Sequence, residues 1–138
     1  MIQGLRESGI TILLAEDSSF YRTVEKNYLI QEGFAVIEAE DGQQALELLK
    51  TQPIDLLVTD IEMPNLDGFE LTRELRASAE WSDLPIIAVT SLAKEEDREA
   101  GMKAGIDSYL VKLRREDLIN EVYRLLPKSQ RRNERAAS

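Results

Sequence analysis

Among the short apolar runs of this chain, Ile12-Leu13-Leu14, Leu56-Leu57-Val58 and Ile86-Ile87-Ala88-Val89 are continuous and do not alternate with polar residues. A strand with one wet face alternates apolar and polar residues, whereas consecutive apolar residues mark a strand buried on both faces. Strands of that kind belong to a parallel sheet covered by helices. Five strands are expected, over Thr11–Ala15, Ala35–Glu38, Asp55–Thr59, Pro85–Thr90 and Ser108–Val111.

The segments between them carry helical spacing. Tyr21, Val24 and Tyr28 recur at steps of three and four, as do Leu118, Val122 and Leu125; Leu71 and Leu75 obey the same rule. Ala45, Leu48 and Leu49 mark a helix for which Asp41 is the expected N-cap. Glu95–Ala104 is helical by propensity but has a weak apolar stripe, and Gly105 should end it. Gly33 and Pro127 read as stops for the first and last helices. Strands and helices therefore alternate from end to end, which is an α/β fold with right-handed crossovers. The expected architecture is a doubly wound, five-stranded parallel sheet of order 2-1-3-4-5 with helices on both faces, flavodoxin-like. The order comes from that fold class and not from the spacing.

At 138 residues the chain holds one domain. Residues 1–9 read as a polar lead-in, 10–126 as the domain, and 127–138 as a basic, frayed tail with Lys128, Arg131, Arg132 and Arg135 against Glu134. The formal net charge of −9 disfavours nucleic-acid backbones and anionic membranes as partners. No apolar run is long enough for a membrane span and no signal-peptide pattern opens the chain, so a cytoplasmic location is expected. There is no cysteine and no histidine. Disulfides, thiolate zinc sites, imidazole bases and Ser-His-Asp triads are thereby excluded. The chemistry left is that of carboxylates, hydroxyls, lysines, backbone groups and a hard metal ion.

In an open parallel sheet, ligands bind at the carboxyl ends of the strands. Glu16 and Asp17 follow the first strand, Asp60 the third, Thr90 closes the fourth, and Lys112 follows the fifth. Carboxylates drawn together repel: at ~4 Å and an effective dielectric of ~20, each pair costs about 4 kcal/mol. Lys112 supplies one compensating charge. Mg²⁺ suits the remainder, because it prefers oxygen ligands and often bridges carboxylates to a phosphate. A hydroxyl at Thr90 and an ammonium at Lys112 are the donors to place around phosphoryl oxygens. The constellation reads as a phosphoryl-accepting aspartate with its metal. Taken singly, each residue has a plainer role: Glu16-Asp17 as helix caps, Thr90 as a strand filler, Lys112 as a surface lysine. Asp67-Gly68 is read as a turn and N-cap.

The stretch from about Ile10 to Leu126 resembles the receiver domain of bacterial two-component signalling. The resemblance is carried by Leu14-Ala15-Glu16-Asp17-Ser18, by Val58-Thr59-Asp60-Ile61-Glu62-Met63-Pro64-Asn65-Leu66-Asp67-Gly68, by Val89-Thr90-Ser91 and by Tyr109-Leu110-Val111-Lys112. It implies that Asp60 receives a phosphoryl group from a phosphohistidine on a partner kinase. Glu16, Asp17, Asp60 and the backbone carbonyl of Glu62 would hold Mg²⁺, while Thr90 and Lys112 contact the phosphoryl oxygens. Thr90 and Tyr109 would form the switch, Tyr109 filling space that Thr90 vacates. It further implies a domain that promotes its own phosphoryl transfer and autodephosphorylation without being a conventional enzyme. The downstream protein partner would dock on the face of the fourth helix, fifth strand and fifth helix.

More narrowly, the chain is similar to receivers fused to the C-terminus of chemotaxis-type hybrid histidine kinases, through Asp17-Ser18-Ser19-Phe20-Tyr21-Arg22, Ile61-Glu62-Met63-Pro64, Trp81-Ser82-Asp83-Leu84-Pro85-Ile86-Ile87 and Lys112-Leu113-Arg114-Arg115-Glu116. Most receivers carry Lys-Pro with a cis bond after the fifth strand; here Leu113 replaces the proline. A trans Lys112–Leu113 bond is expected, since a non-proline cis bond costs ~2.5–4 kcal/mol. Arg114 and Arg115 are then expected to project as a local basic spot.

Two other classes compete with this reading. A metal-dependent phosphatase-like enzyme acting on an external substrate often uses Asp-x-Asp, with the second carboxylate as acid and base. Glu62 stands at that second position, and no substrate-binding insertion is apparent. A nucleotide-binding module needs a glycine-rich phosphate loop after the first strand. Glu16-Asp17-Ser18-Ser19 puts carboxylates there instead. No output segment is evident, so the expected output is a protein–protein contact, as a standalone regulator, a phosphate sink or part of a hybrid kinase.

Overall fold

The computed structural model describes residues 9–112 and 114–137, with side chains through 126. Its elements in chain order are β1 (Thr11–Ala15), α1 (Ser19–Gln31), β2 (Ala35–Ala39), α2 (Gly42–Thr51), β3 (Leu56–Thr59), α3 (Gly68–Arg76), β4 (Ile86–Thr90), α4 (Glu95–Ala104), β5 (Ser108–Val111) and α5 (Arg115–Ala137). The five strands form one parallel sheet in the order β2-β1-β3-β4-β5. The continuous apolar runs are the three central strands. Every residue of β3 and β4 is buried, and β1 is buried from Ile12 onward.

Successive side chains point to opposite faces, so each run feeds two cores. Leu13, Leu57, Ile86 and Ala88 pack with Ala45, Leu49, Leu71 and Leu75 of α2 and α3. Ile12, Leu14, Leu56, Val58, Ile87 and Val89 pack with Leu29 of α1 and Leu118, Val122 and Leu125 of α5. Each leucine, isoleucine or valine among them, taken fully out of water, contributes roughly 1.5–3 kcal/mol.

Local signals set the element ends. The Ser18 side chain caps α1, the Asp41 side chain caps α2, and Asp67 forms a capping box with Glu70 at the start of α3. Gly33 (φ 95°) follows α1, and Gly105 (φ 112°) ends α4 in the left-handed region. The weak stripe of α4 has a simple form: Gly101 is its only buried residue.

One stop signal fails. Pro127 does not end α5, whose backbone continues to Ala137. An interior proline deletes one hydrogen bond and costs about 3 kcal/mol. The residues beyond it, among them Gln130, Arg131, Arg132, Glu134, Arg135, Ala136 and Ala137, are good helix formers that carry the helix on. The segment expected to fray from residue 127 is therefore helical in its backbone. The arginines after β5 also differ from the free basic spot expected of them. Arg115 pairs with Glu32 at the end of α1 (3.0 Å), with its guanidinium near the Tyr28 ring, and so ties α5 to α1. Arg114 is exposed and pairs with Asp117 at 3.4 Å. The expectations for the Lys112–Leu113 bond and for most of the 1–9 lead-in fall outside the described residues.

Candidate functional site

The carboxyl ends of the strands come together because their ladders end in register. The Glu16 amide donates to the Ala39 carbonyl, the Asp60 amide to the Ala15 carbonyl, and the Lys112 amide to the Thr90 carbonyl, at 3.0, 2.9 and 3.1 Å. Asp60 thus stands at the end of the central strand β3, only 5% exposed. Its Oδ1 accepts the Ile61 amide at 2.6 Å, and its Oδ2 accepts the Lys112 ammonium at 3.0 Å. Lys112 Nζ lies equally close, 3.0 Å, to Glu16 Oε1.

Glu16 is fully buried, and its other oxygen accepts the Ser18 amide at 3.0 Å. Burial is the main cause that pushes its carboxyl up to about 7; the Ser18 hydrogen bond pulls the other way, Asp60 adds to the rise, and Lys112 opposes it. For Lys112, burial disfavours the ammonium, but the bonds to Asp60 and Glu16 outweigh it and the group is held above its ordinary value. Both directions describe a crowded, poorly solvated cluster of charge.

Glu16, Asp17 and Asp60 each offer a carboxylate oxygen, and these atoms lie within 4.8 Å of one another. Asp17 is exposed, so the cluster opens to solvent on one side while Glu16 and Asp60 line its floor. Three hard oxygen donors, with a single ammonium shared between two of them, fit a small divalent cation such as Mg²⁺. Glu62 follows two residues after Asp60 and is exposed.

Thr90 is fully buried at the end of β4, and its hydroxyl oxygen accepts the Leu92 amide at 3.2 Å. Tyr109 on β5 is 5% exposed and donates its hydroxyl to the Leu92 carbonyl at 2.9 Å. Burial first, then the Asp97, Asp60 and Glu62 carboxylates, pushes the Tyr109 phenol up to about 12, so it remains a donor. The ring is already inside, packed against Gly101 of α4, instead of waiting for space that Thr90 vacates. Thr90 and Tyr109 hold the same residue, one by its amide and the other by its carbonyl.

Glu16, Asp17, Asp60 and Lys112 come together at this end of the sheet, and Thr90 closes β4 there, whereas Tyr109 stands within β5. Three participants were not foreseen. The Tyr21 ring lies beneath the Lys112 ammonium, 4.2 Å from the ring centroid. Arg22 donates to the Glu16 carbonyl at 2.7 Å and also reaches Glu38. Glu25 is 2% exposed on the inner face of α1. Helical spacing from Tyr21 places Glu25 one turn further along the same face, which was the available signal.

Comparison with known proteins agrees with the fold. Residues 12–123 match the family described as "Response regulator receiver domain". The chain is 45% identical over 103 residues to the sensor protein EvgS of Escherichia coli, covering 75% of this chain and 8% of that one. It is 39% identical over 103 residues to a chemotaxis protein CheY homolog of Campylobacter jejuni, covering 73% and 79%. The chain spans 13% and 8% of the length of the two long relatives it matches first. Among solved structures, the receiver domain of the sensor histidine kinase PA1611 from Pseudomonas aeruginosa, with a magnesium ion coordinated in its active-site cleft, superposes with a TM-score of 0.79 at 36% identity. That superposition covers 86% of this chain and 98% of that one. No helix among the described residues is long and apolar enough to cross a membrane. A parallel sheet of order 2-1-3-4-5, a carboxylate cluster at its carboxyl edge and a family match over most of the length lead to one assignment: the chain belongs to the response regulator receiver domain family.

Proposed function

We propose that Asp60 is the phosphoacceptor of this domain, that its donor is a phosphohistidine of a histidine kinase, and that the modification is read by a protein docked on α4, β5 and α5. The observation that carries the reading is the placement of Asp60, a nearly buried carboxylate bonded at one oxygen to a backbone amide and at the other to Lys112. In the transfer, an Asp60 carboxylate oxygen attacks phosphorus and forms the new P–O bond. The P–N bond to the donor imidazole breaks, and the imidazole leaves with the electron pair and takes up a proton. Lys112 stays beside the acceptor and neutralises charge on the phosphoryl oxygens. The Thr90 hydroxyl now accepts from Leu92, and its own hydrogen is available for a phosphoryl oxygen. Glu16, Asp17 and Asp60, together with the Glu62 carbonyl, would hold the Mg²⁺, which supplies electrostatic stabilisation of the transferring phosphoryl group.

The exposed polar approach past Asp17 suits a macromolecular donor, and the similarity to a sensor protein supports a cytoplasmic setting for the exchange. The test uses acetyl phosphate with Mg²⁺ and mass spectrometry of the intact chain and of its peptides. One phosphoryl group is expected on Asp60, and none in Asp60→Asn. A phosphoryl group on another aspartate, or undiminished labelling of the variant, rejects the assignment.

A further inference from the structure

Lys112 is held by three groups, of which two are carboxylates. Glu16 and Asp60 each stand 3.0 Å from its ammonium, and the face of Tyr21 lies 4.2 Å away from centroid to nitrogen. The lysine side chain is only 10% exposed, so the ring quadrupole acts on it with little screening by water. The ring is fixed from its own side. Tyr21 is in the first turn of α1, its amide donates to the Ser18 cap, and the neighbouring Arg22 clamps that turn to the Glu16 carbonyl and to Glu38.

The two kinds of support respond differently to the reaction. A cation bound by Glu16 and Asp60 draws on the same carboxylate charge that holds Lys112. Phosphorylation of Asp60 then converts one of those carboxylates into an acyl phosphate. The attraction of the Tyr21 ring changes in neither step. We infer that Tyr21 is a positioning residue for phosphoryl transfer: its ring face keeps the Lys112 ammonium at the acceptor while its carboxylate partners are redrawn. This rests on the reading of Asp60 as phosphoacceptor. It needs the aromatic face and not the phenolic hydroxyl.

The experiment compares the full chain with Tyr21→Phe, Tyr21→Leu and a series with fluorinated phenylalanines at position 21, which keep the shape of the ring and weaken its quadrupole. Two quantities are read. The first, without donor or metal, is the upfield ring-current shift of the Lys112 methylene protons next to the ammonium. It should be kept in Tyr21→Phe and lost in Tyr21→Leu. The second is the rate of Asp60 phosphorylation by acetyl phosphate with Mg²⁺. At saturating donor it should fall about tenfold in Tyr21→Leu, fall stepwise with fluorination, and stay within about twofold in Tyr21→Phe. The half-saturating donor concentration should change by less than about twofold throughout. If Tyr21→Leu does not fold, the fluorinated series alone decides. Rates indifferent to fluorination, or Tyr21→Phe as slow as Tyr21→Leu, overturn the inference. A wild-type chain that takes no phosphoryl group at Asp60 overturns the functional reading beneath it, whereas a chain phosphorylated there but insensitive to position 21 overturns this inference alone.

Discussion

Glu25 is a carboxyl group in the wrong solvent. It is 2% exposed on α1, and its Oε2 has no hydrogen-bond partner among the described residues. Burial, reinforced by the Glu16 and Asp60 carboxylates and opposed by Lys112, pushes its pKa well above the ordinary carboxylate range, up to about 8. At neutral pH it is largely protonated, which lowers the cost of its position and adds no charge to the cluster nearby. The consequence for stability follows from linkage. A carboxyl with a raised folded pKa favours the folded state most below its unfolded pKa. That advantage is lost as the pH rises toward and through the folded value. In Glu25→Gln the group cannot ionise, so the loss should disappear, a difference on the order of a few kcal/mol at the alkaline end. Thermal unfolding in a chelator, from about pH 5 to about pH 9, should show the two proteins diverging with the variant the more stable above neutrality. Parallel curves would mean that Glu25 is solvated. Residue type conceals this position from the sequence, because an unpaired glutamate is normally a surface residue. Asp60 and Lys112 were legible for the opposite reason: their types and their places after buried runs point to the same chemistry.

Between β3 and α3 the backbone is packed too tightly for a side chain. Gly68 donates its amide to the Ile61 carbonyl at 2.8 Å, and a Cβ there would run into the Asp60 carbonyl and come within 2.9 Å of the Ile61 Cα. The obstacle is backbone, which cannot turn aside as a side chain does. Gly68→Ala should therefore cost roughly 1–3 kcal/mol in urea unfolding. It should also slow Asp60 phosphorylation, since the residue displaced is the proposed acceptor itself. Gly101→Ala is the contrasting case, because its nearest obstacle is the Tyr109 ring at 3.0 Å, and a ring can shift. Equal phosphorylation of Gly68→Ala and wild type would show that the loop relaxes without moving Asp60. Element ends were legible wherever one residue type has one job, as at Asp41, Asp67 and Gly105. The extent of α5 was not, because Pro127 is a strong stop signal by type and the helix formers after it act against that signal. The packing of α4 was not legible either, since a lone buried glycine leaves no apolar stripe. Strand order could not be read from spacing; it followed from the flavodoxin-like fold class.

Across the molecule, the site and the proposed docking face are joined through Leu92. Its amide donates to Thr90, and its carbonyl accepts from Tyr109. Tyr109 is in turn bound to α4, by Arg98 donating to its carbonyl at 3.1 Å and by the ring lying against Gly101. If the Thr90 hydroxyl turns to a phosphoryl group on Asp60, the Leu92 amide loses its acceptor, and the loop before α4 is left held at Leu92 by Tyr109. Because α4 buries Gly101 alone, little apolar packing resists its displacement. The opposite side of the sheet differs: α1 and α5 share a core with β1, β3 and β4, and Arg115 and Tyr123 both bind Glu32. A small change at Thr90 should therefore move one face and leave the other, as a packed core shifts between discrete arrangements and does not deform evenly. Amide exchange with and without beryllium fluoride and Mg²⁺, used as a phosphoryl mimic, should change over residues 91–104 and 108–111 and remain unaltered in α1. Tyr109→Phe removes the remaining bond to the Leu92 carbonyl, so it should raise exchange in the loop before α4 even without the mimic. Changes confined to α1 and α2, with α4 unaffected, would place the readout on the other edge of the sheet and separate it from Leu92.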